Sequence, residues 1–313
     1  MVQTVLGAVS AESLGCTLMH EHLLMVERNL WHAFDDWLDR EAFLRVAIPQ
    51  LRAVRECGVQ TIIDATPINL GRDVRLMAAC ARASGMQVIA STGLYFFEEP
   101  WLVRPDADYL AGLFLREIRE GMEGTGIRPG VIKCATDRFG VTPGNREMLR
   151  AAALAQTESG LPVITHSCAD QKNGLAQQRA LLSDGVPPER LVIGHCGDTD
   201  DVDYLEELMR SGTLIGMDRF GAVPHLISTQ GRIDTLVRLL ERGWSRQMVL
   251  SHDSHLYSNL WQPWQEDRYR PQGERSPRMI PERIVPALRA RGVPQEMIDD
   301  MLCHNIRRLF GGE

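Results

Sequence analysis

Eight short runs of consecutive apolar residues recur along the chain, each followed by a polar or glycine-containing turn and then by a segment with helical spacing. They are "CTLMH" (16–20), "VQTIIDA" (59–65), "MQVIASTG" (86–93), "GVIKC" (130–134), "LPVITH" (161–166), "RLVIGH" (190–195), "TLIGM" (213–217) and "MVLSH" (248–252). None alternates strictly between apolar and polar, which is the pattern of strands covered on both faces. Between them, "DREAFLRVAIPQLRAVRECG" (39–58) has Asp39 as a cap, apolar residues at helical spacing and Gly58 as a stop. The segments 144–160 and 201–212 also end in glycine, which readily adopts the left-handed conformation at a helix C-terminus. Strands alternating with helices eight times predict an α/β fold, a (β/α)8 TIM barrel, with residues 1–313 forming a single domain.

In a parallel barrel every strand C-terminus opens on the same face, so polar residues at strand ends converge. "VITH", "VIGH" and "VLSH" each end a strand with a histidine. Lys133 to His166 spans 33 residues and His166 to His195 spans 29, each one βα unit; His195 to Asp253 spans 58, two units. In "MHEHL", His20 and His22 sit two apart, so on a strand both side chains project to one side, roughly 6.6 Å apart, while Glu21 points away. H-x-H alone fits a pair of hydrogen-bonded core histidines equally well. His166, His195 and Asp253 at three further strand ends favour a metal site, because imidazole and carboxylate donors suit Zn²⁺, and also Mn²⁺, Fe²⁺ or Co²⁺. Lys133, inside an apolar strand, is costly unless paired or chemically changed. It either reaches the mouth to pair with Asp137 or Asp253, or its amine, made neutral by a depressed pKa, is carboxylated by CO₂ to bridge two cations.

Composition narrows the class. A net charge of −7 and the absence of a long Lys/Arg run argue against nucleic acid and anionic membrane surfaces. No apolar run reaches the ~18 residues of a membrane span, and the N-terminus is unlike a signal peptide. Of seven cysteines at scattered spacings, without C-x-x-C, most read as small buried hydrophobes in a reducing compartment, which predicts a cytoplasmic protein.

The strand-end residues, with "TLMHEHLL", "GVQTIIDATPINLGRDV", "STGLYFF", "VIKCATD", "PVITHSCA", "GLAQQRALLSDGV", "LVIGHCGDTDDVDYL", "GTLIGMDRFG", "MVLSHDS" and the terminal "NIRRLF", make the chain resemble the phosphotriesterase family of the amidohydrolase superfamily over nearly its whole length. The resemblance implies a hydrolase with two divalent metal ions in a (β/α)8 barrel. His20, His22 and Asp253 would hold the more buried ion and His166 and His195 the more exposed one, with carboxylated Lys133 and a hydroxide as bridges. That hydroxide would attack an sp² carbonyl carbon or a phosphorus. Asp253 would take the proton and Asp198 would receive it in turn, although "DTDDVDYL" also offers Asp198 as a helix cap.

Specificity falls to the mouth. Tyr95 and Arg219 resemble the lactonase branch, whose strand-seven arginine replaces the histidine of organophosphate hydrolases. An ion pair of Arg219 with Asp198 or Asp253 is expected in either case. The expected activity is opening of lactones such as N-acyl-homoserine or other γ/δ-lactones, with incidental phosphotriester turnover. Dedicated hydrolysis of organophosphates, phosphorylated sugar lactones or N-acyl amides is the alternative within the family; a metal-binding barrel without turnover is the alternative outside it. The loop from Ser254 to about Met279 would carry an apolar wall of Tyr257, Trp261 and Trp264, or anion contacts from Arg268, Arg270, Arg275 and Arg278. His252 should face away from Asp253 as packing or support, His32, His225 and His255 should lie in mouth loops, and His304 in the last helix. "NLGRD" (69–73) reads as turn structure. The partner is a small lactone or ester, with a homodimer expected, its interface drawn from the aromatic segment around Trp31 to Trp37.

Overall fold

The computed structural model describes residues 1–103, 106–221, 226–260 and 276–311. An antiparallel hairpin, β1 (Val2–Thr4) and β2 (Gly7–Val9), precedes a sheet in which all neighbours run parallel. Its strands are β3 (Thr17–Met25), β4 (Thr61–Asp64), β5 (Gln87–Gly93), β6 (Val131–Ala135), β7 (Val163–His166), β8 (Leu191–Ile193), β9 (Leu214–Met217), β10 (Met248–Leu250) and β11 (His255–Ser258). The order is β10-β9-β8-β7-β6-β5-β4-β3-β11. Nine strands make eight barrel staves, because β10 and β11 are two halves of one interrupted stave. β10 pairs with β9, and β11 pairs with β3 through His255 opposite His22. The interruption, Ser251–Ser254, closes the ring: the Asp253 amide donates to the His20 carbonyl at 3.0 Å and the His22 amide to that of Ser254 at 2.8 Å. The fold is the expected (β/α)8 barrel.

Each stave sends one apolar side chain into the barrel: Met19, Ile63, Ile89, Val131, Ile164, Val192, Leu214 and Val249 form one buried cluster. Ile306 and Leu309, from the terminal "NIRRLF" helix (Asn305–Leu309), join that cluster, and Asn305 Nδ2 donates to the carbonyls of Ser245 and Met248 at 2.7 and 2.6 Å. The opposite strand faces join a second cluster with the helices. Helix α2 (Arg40–Glu56, after a short α1 at Arg28–Ala33) is capped by Asp39, whose carboxylate accepts from the Ala42 amide at 2.9 Å. Helix α5 (Pro143–Ser159) ends on Gly160 in the left-handed conformation, φ +73°, as its sequence predicts.

Period-two alternation carries the barrel interior upward into polar residues: Val131 to Lys133, Ile164 to His166, and Val249 through Ser251 to Asp253. Strand β3 needs an irregularity to do the same. Its register against β4 shifts between Leu18 and Glu21, which lets Met19 fill the interior while both His20 and His22 reach the mouth. Glu21 is turned into the seam and buried. Its carboxylate takes Ser251 Oγ (2.7 Å), the amide and Nδ1 of His252 (2.8 and 2.7 Å), and the amide and Oγ of Ser254 (2.8 and 2.6 Å). Burial pushes this carboxyl up, yet His252, Ser251 and Ser254 together bring it below the ordinary glutamate value.

Removing that acceptor strands five donors in the seam. Glu21→Ala should lower unfolding stability by about 3–5 kcal/mol and speed hydrogen exchange of the His252 and Ser254 amides. Glu12→Ala, at an exposed site, should melt with the parent. Denaturant melts of both variants check this; equal stabilities would remove Glu21 from the closure.

Candidate metal centre

The C-terminal ends of β3, β6, β7 and β8 and the break between β10 and β11 bring His20, His22, Lys133, His166, His195 and Asp253 into one cluster. Lys133 Nζ lies 2.8 Å from His20 Nε2, and His195 Nε2 lies 2.7 Å from His166 Nδ1. Asp253 Oδ1 is 3.2 Å from His22 Nε2 and 3.7 Å from His20 Nε2. Ligand atoms of His20, His195 and Asp253 lie within 4.8 Å of one another. The donors therefore form one connected cluster, in which His195 faces Asp253 (4.0 Å) as well as His166. His195, Arg219 and Asp253 hold positive φ of 62°, 62° and 55°, a conformation costly for non-glycine residues and concentrated at functional sites.

The donor chemistry fits metal. Each imidazole turns one nitrogen inward and has an outer partner near the other. His22 Nδ1 meets Thr66 Oγ1 at 2.8 Å, His166 Nε2 meets Asp137 at 3.3 Å, and His195 Nδ1 meets Asp218 at 3.0 Å. His20 Nδ1 lies 3.7 Å from Asp218. Such outer partners fix the tautomer and orientation of a ligating histidine. Burial, then Lys133, holds His20 well below its ordinary pKa; burial, then Arg219, does so for His195. Burial takes His166 down to about 4 despite Asp137. These rings are neutral at pH 7, the form that offers a lone pair. Lys133 is 1% exposed, and burial pushes its amine down to about 8 against the pull of Asp253 and Asp218.

Around this cluster stand the other residues singled out in the sequence. Arg219 Nε donates to Asp253 Oδ2 at 2.9 Å and Nη1 to Asp198 Oδ2 at 2.8 Å, so the guanidinium holds both carboxylates at once. Asp198 and Asp253 do not meet directly; the guanidinium stands between them. Nor does Asp198 cap a helix: Asp201 caps α7 (Val202–Met209), because its carboxylate reaches the Tyr204 amide. Tyr95 Oη lies 3.5 Å from His166 Nδ1, its ring edge-on to that histidine. Burial raises the phenol's pKa, so it keeps its proton.

Several residues hold roles that the sequence did not disclose. Asp218, the neighbour of Arg219, supports two histidines. Asn69 in "NLGRD" grips the backbone of Tyr95 in both directions, at 2.6 and 3.3 Å. Arg72 in the same motif is buried between Glu117 and Glu123, and Asp73 caps α3 (Val74–Ser84), so the rest of it is turn structure. The loop expectation fails at its start: His255 to Ser258 form β11, and Tyr257 packs edge-on to Phe43 of α2, away from any mouth wall. His255 is thus a strand residue and His32 an exposed residue of α1. His252 does turn away from the centre: Nδ1 is on Glu21 and Nε2 accepts from the Ile280 amide at 2.9 Å. His304 lies in a helical turn 3.2 Å from Asp300, and Arg278 pairs with Glu282 at 3.0 Å. Trp261, Trp264, Arg268, Arg270, Arg275 and His225 lie outside the described residues.

Comparison with known proteins now gives this centre a lineage. The model of the Phosphotriesterase family matches residues 1–310. The chain belongs to the phosphotriesterase family. It is 37% identical to the phosphotriesterase homology protein of Mycobacterium tuberculosis, covering 99% of this chain and 97% of that protein. An aryldialkylphosphatase of Saccharolobus solfataricus is 33% identical, with 97% of each chain covered. A solved phosphotriesterase structure from Mycobacterium tuberculosis superposes with a TM-score of 0.92, at 37% identity, over 100% of this chain and 99% of that one. The family is one of binuclear metal enzymes within the amidohydrolase superfamily, and this member of it is a hydrolase. Among its described residues no helix is long and apolar enough to cross a membrane.

The neutral imidazoles set a pH dependence for the metal-stripped protein. His166 has a folded pKa of about 4 against an ordinary 6.5. Between those values the unfolded chain binds a proton that the folded one refuses. Stability from this group is present above pH 6.5 and is lost as pH falls towards 4. The melting temperature should fall through that window, and His166→Asn should flatten the fall; an unchanged slope would mean that His166 is protonated in the fold.

Proposed function

We propose that this family member is a binuclear metal-dependent lactonase with Lys133 carboxylated, Zn²⁺ as the leading candidate ion, and phosphotriester hydrolysis as a lesser activity. The carrying observation is Arg219, partly buried between Asp253 and Asp198 at the strand-seven end where organophosphate-hydrolysing members have histidine. His20, His22 and Asp253, with His166 and His195, would hold the two ions. Bound there, these would polarise a substrate oxygen and acidify a water.

The chain's own groups supply the rest. The buried, readily neutral amine of Lys133 can add CO₂, forming an N–C bond and releasing one proton, to become an anion. Asp253 accepts the proton released by the attacking water. Burial opposes its ionisation, but His195, His22 and Arg219 keep it a carboxylate well below the usual range. The Tyr95 hydroxyl donates to an oxygen of the bound ester, and Arg219 balances the negative charge that builds as the ring opens. A cavity of about 200 Å³ borders Tyr95, with Phe97, Leu102, Leu110 and Met148 among its walls. The carboxylates of Glu98, Glu99 and Glu147 also line it, which disfavours a substituent bearing an anionic phosphate. The likeness to an aryldialkylphosphatase supports phosphotriesters as the second reading.

The test is metal content per chain alongside hydrolysis of a lactone panel and paraoxon. About two divalent ions, with lactone turnover lost on chelation and restored by metal, is the expected result. No metal after reconstitution and no turnover would refute the proposal. Asp253→Asn should cost about 10²–10⁴-fold in kcat while the fold melts normally. Arg219→His should move the lactone-to-paraoxon ratio about tenfold towards paraoxon, roughly 1.4 kcal/mol of relative barrier. Equal losses on both substrates would make Arg219 structural only.

A further inference from the structure

Behind Asp198 stands a second guanidinium. Arg232, on α8 (Thr229–Glu241), is 1% exposed and lies with Nη2 2.7 Å from Asp198 Oδ1, the oxygen that Arg219 leaves open. Its Nη1 donates to the Asp218 carbonyl at 3.1 Å. One side chain therefore touches both Asp198, the anchor of Arg219, and the backbone of Asp218, the residue that supports His195 and His20. The approach requires a bare backbone: a Cβ at Gly197 would fall 2.4 Å from the Asp218 carbonyl oxygen and 3.0 Å from Arg232 Nη1.

We propose that Arg232 is a positioning residue of the hydrolytic centre, fixing Asp198 so that Arg219 is held against Asp253. This rests on the hydrolase reading above. A buried ion pair is a poor source of net stability, since apolar residues of similar volume often serve as well. What the pair does supply is direction. Asp198 gives one oxygen to each arginine: Oδ2 accepts from Arg219, while Oδ1 stands against Arg232 Nη2 as a close charge contact without hydrogen-bond alignment, which leaves Oδ2 to Arg219. A guanidinium cannot give up its proton near neutral pH. The guanidinium of Arg219 consequently interrupts the row Asp253, Arg219, Asp198, Arg232, which suits orientation better than proton transfer. In this scheme Asp198 anchors Arg219, and the proton taken by Asp253 leaves by way of the mouth.

The experiment compares Arg232→Met and Arg232→Lys with the parent, all metal-loaded, with metal content and melting temperature recorded. The first readout is hydrogen exchange of the Arg219 Nε proton in ¹⁵N spectra, assigned by its loss in Arg219→Lys. It should be slow in the parent, at least about tenfold faster in Arg232→Met, and intermediate in Arg232→Lys, which keeps the charge but cannot reach both partners. The second readout is turnover of the best lactone or paraoxon. kcat should fall about 10- to 100-fold in Arg232→Met with KM little changed, and recover in part in Arg232→Lys. Parental exchange and kcat in folded Arg232→Met would overturn the proposal. Should that variant fail to fold, parental values in Arg232→Lys would do so instead. The exchange readout needs no turnover, so a parent inactive on every substrate would sink the hydrolase reading while exchange still decides the role of Arg232.

Discussion

Everything at the mouth of this barrel depends on how the ring of strands is closed. The first and last staves must meet, and they meet where the last one is interrupted. Two backbone hydrogen bonds cross the seam at Ser251–Ser254, from Asp253 to His20 and from His22 to Ser254, and the carboxylate of Glu21 adds five side-chain and amide contacts. Glu21 lies between His20 and His22, and the segment it grips contains Asp253. The closure of the fold and the spacing of three metal-ligand candidates are thus one arrangement. The break also frees Asp253 to adopt its left-handed backbone and point inward.

The second constraint is charge. The centre gathers four imidazoles, a lysine and an arginine around Asp253 and Asp218 with very little solvent. Burial disfavours every charged form, so the groups divide: His20, His166 and His195 stay neutral, while Asp253 stays ionised against its positive neighbours. Burial and then Asp253 push Asp218 well up, which marks it as the carboxyl least able to bear a further negative charge. The inward-facing nitrogens of His166 and His195 stand 2.7 Å apart, at hydrogen-bond distance.

Much of this was legible along the chain because parallel-barrel strands leave a strong signature. Apolar runs at βα-unit spacing disclosed the staves, and the polar residue ending each run disclosed the ligand candidates. Legibility failed where a side chain's job is set by a partner far away in sequence. Glu21 was read only as pointing away, and its partners lie more than 220 residues on. Asp198 had a plausible local role as a helix cap, but Asp201 takes that role and leaves Asp198 to two arginines. "HLYS" was read as loop because an isolated four-residue strand is recognisable only beside its neighbour, β3.

The sequence by itself determined the barrel and the set of six side chains that gather at one face, through periodicity, spacing and residue chemistry, and the phosphotriesterase family through the resemblance of its motifs. Only the tertiary structure decided which atoms of those side chains face one another, that the last stave is split, and that Arg219 stands between Asp253 and Asp198. These depend on contacts closed across the whole ring, where a shift of about an ångström changes a hydrogen-bond partner, and local pattern carries no information at that scale.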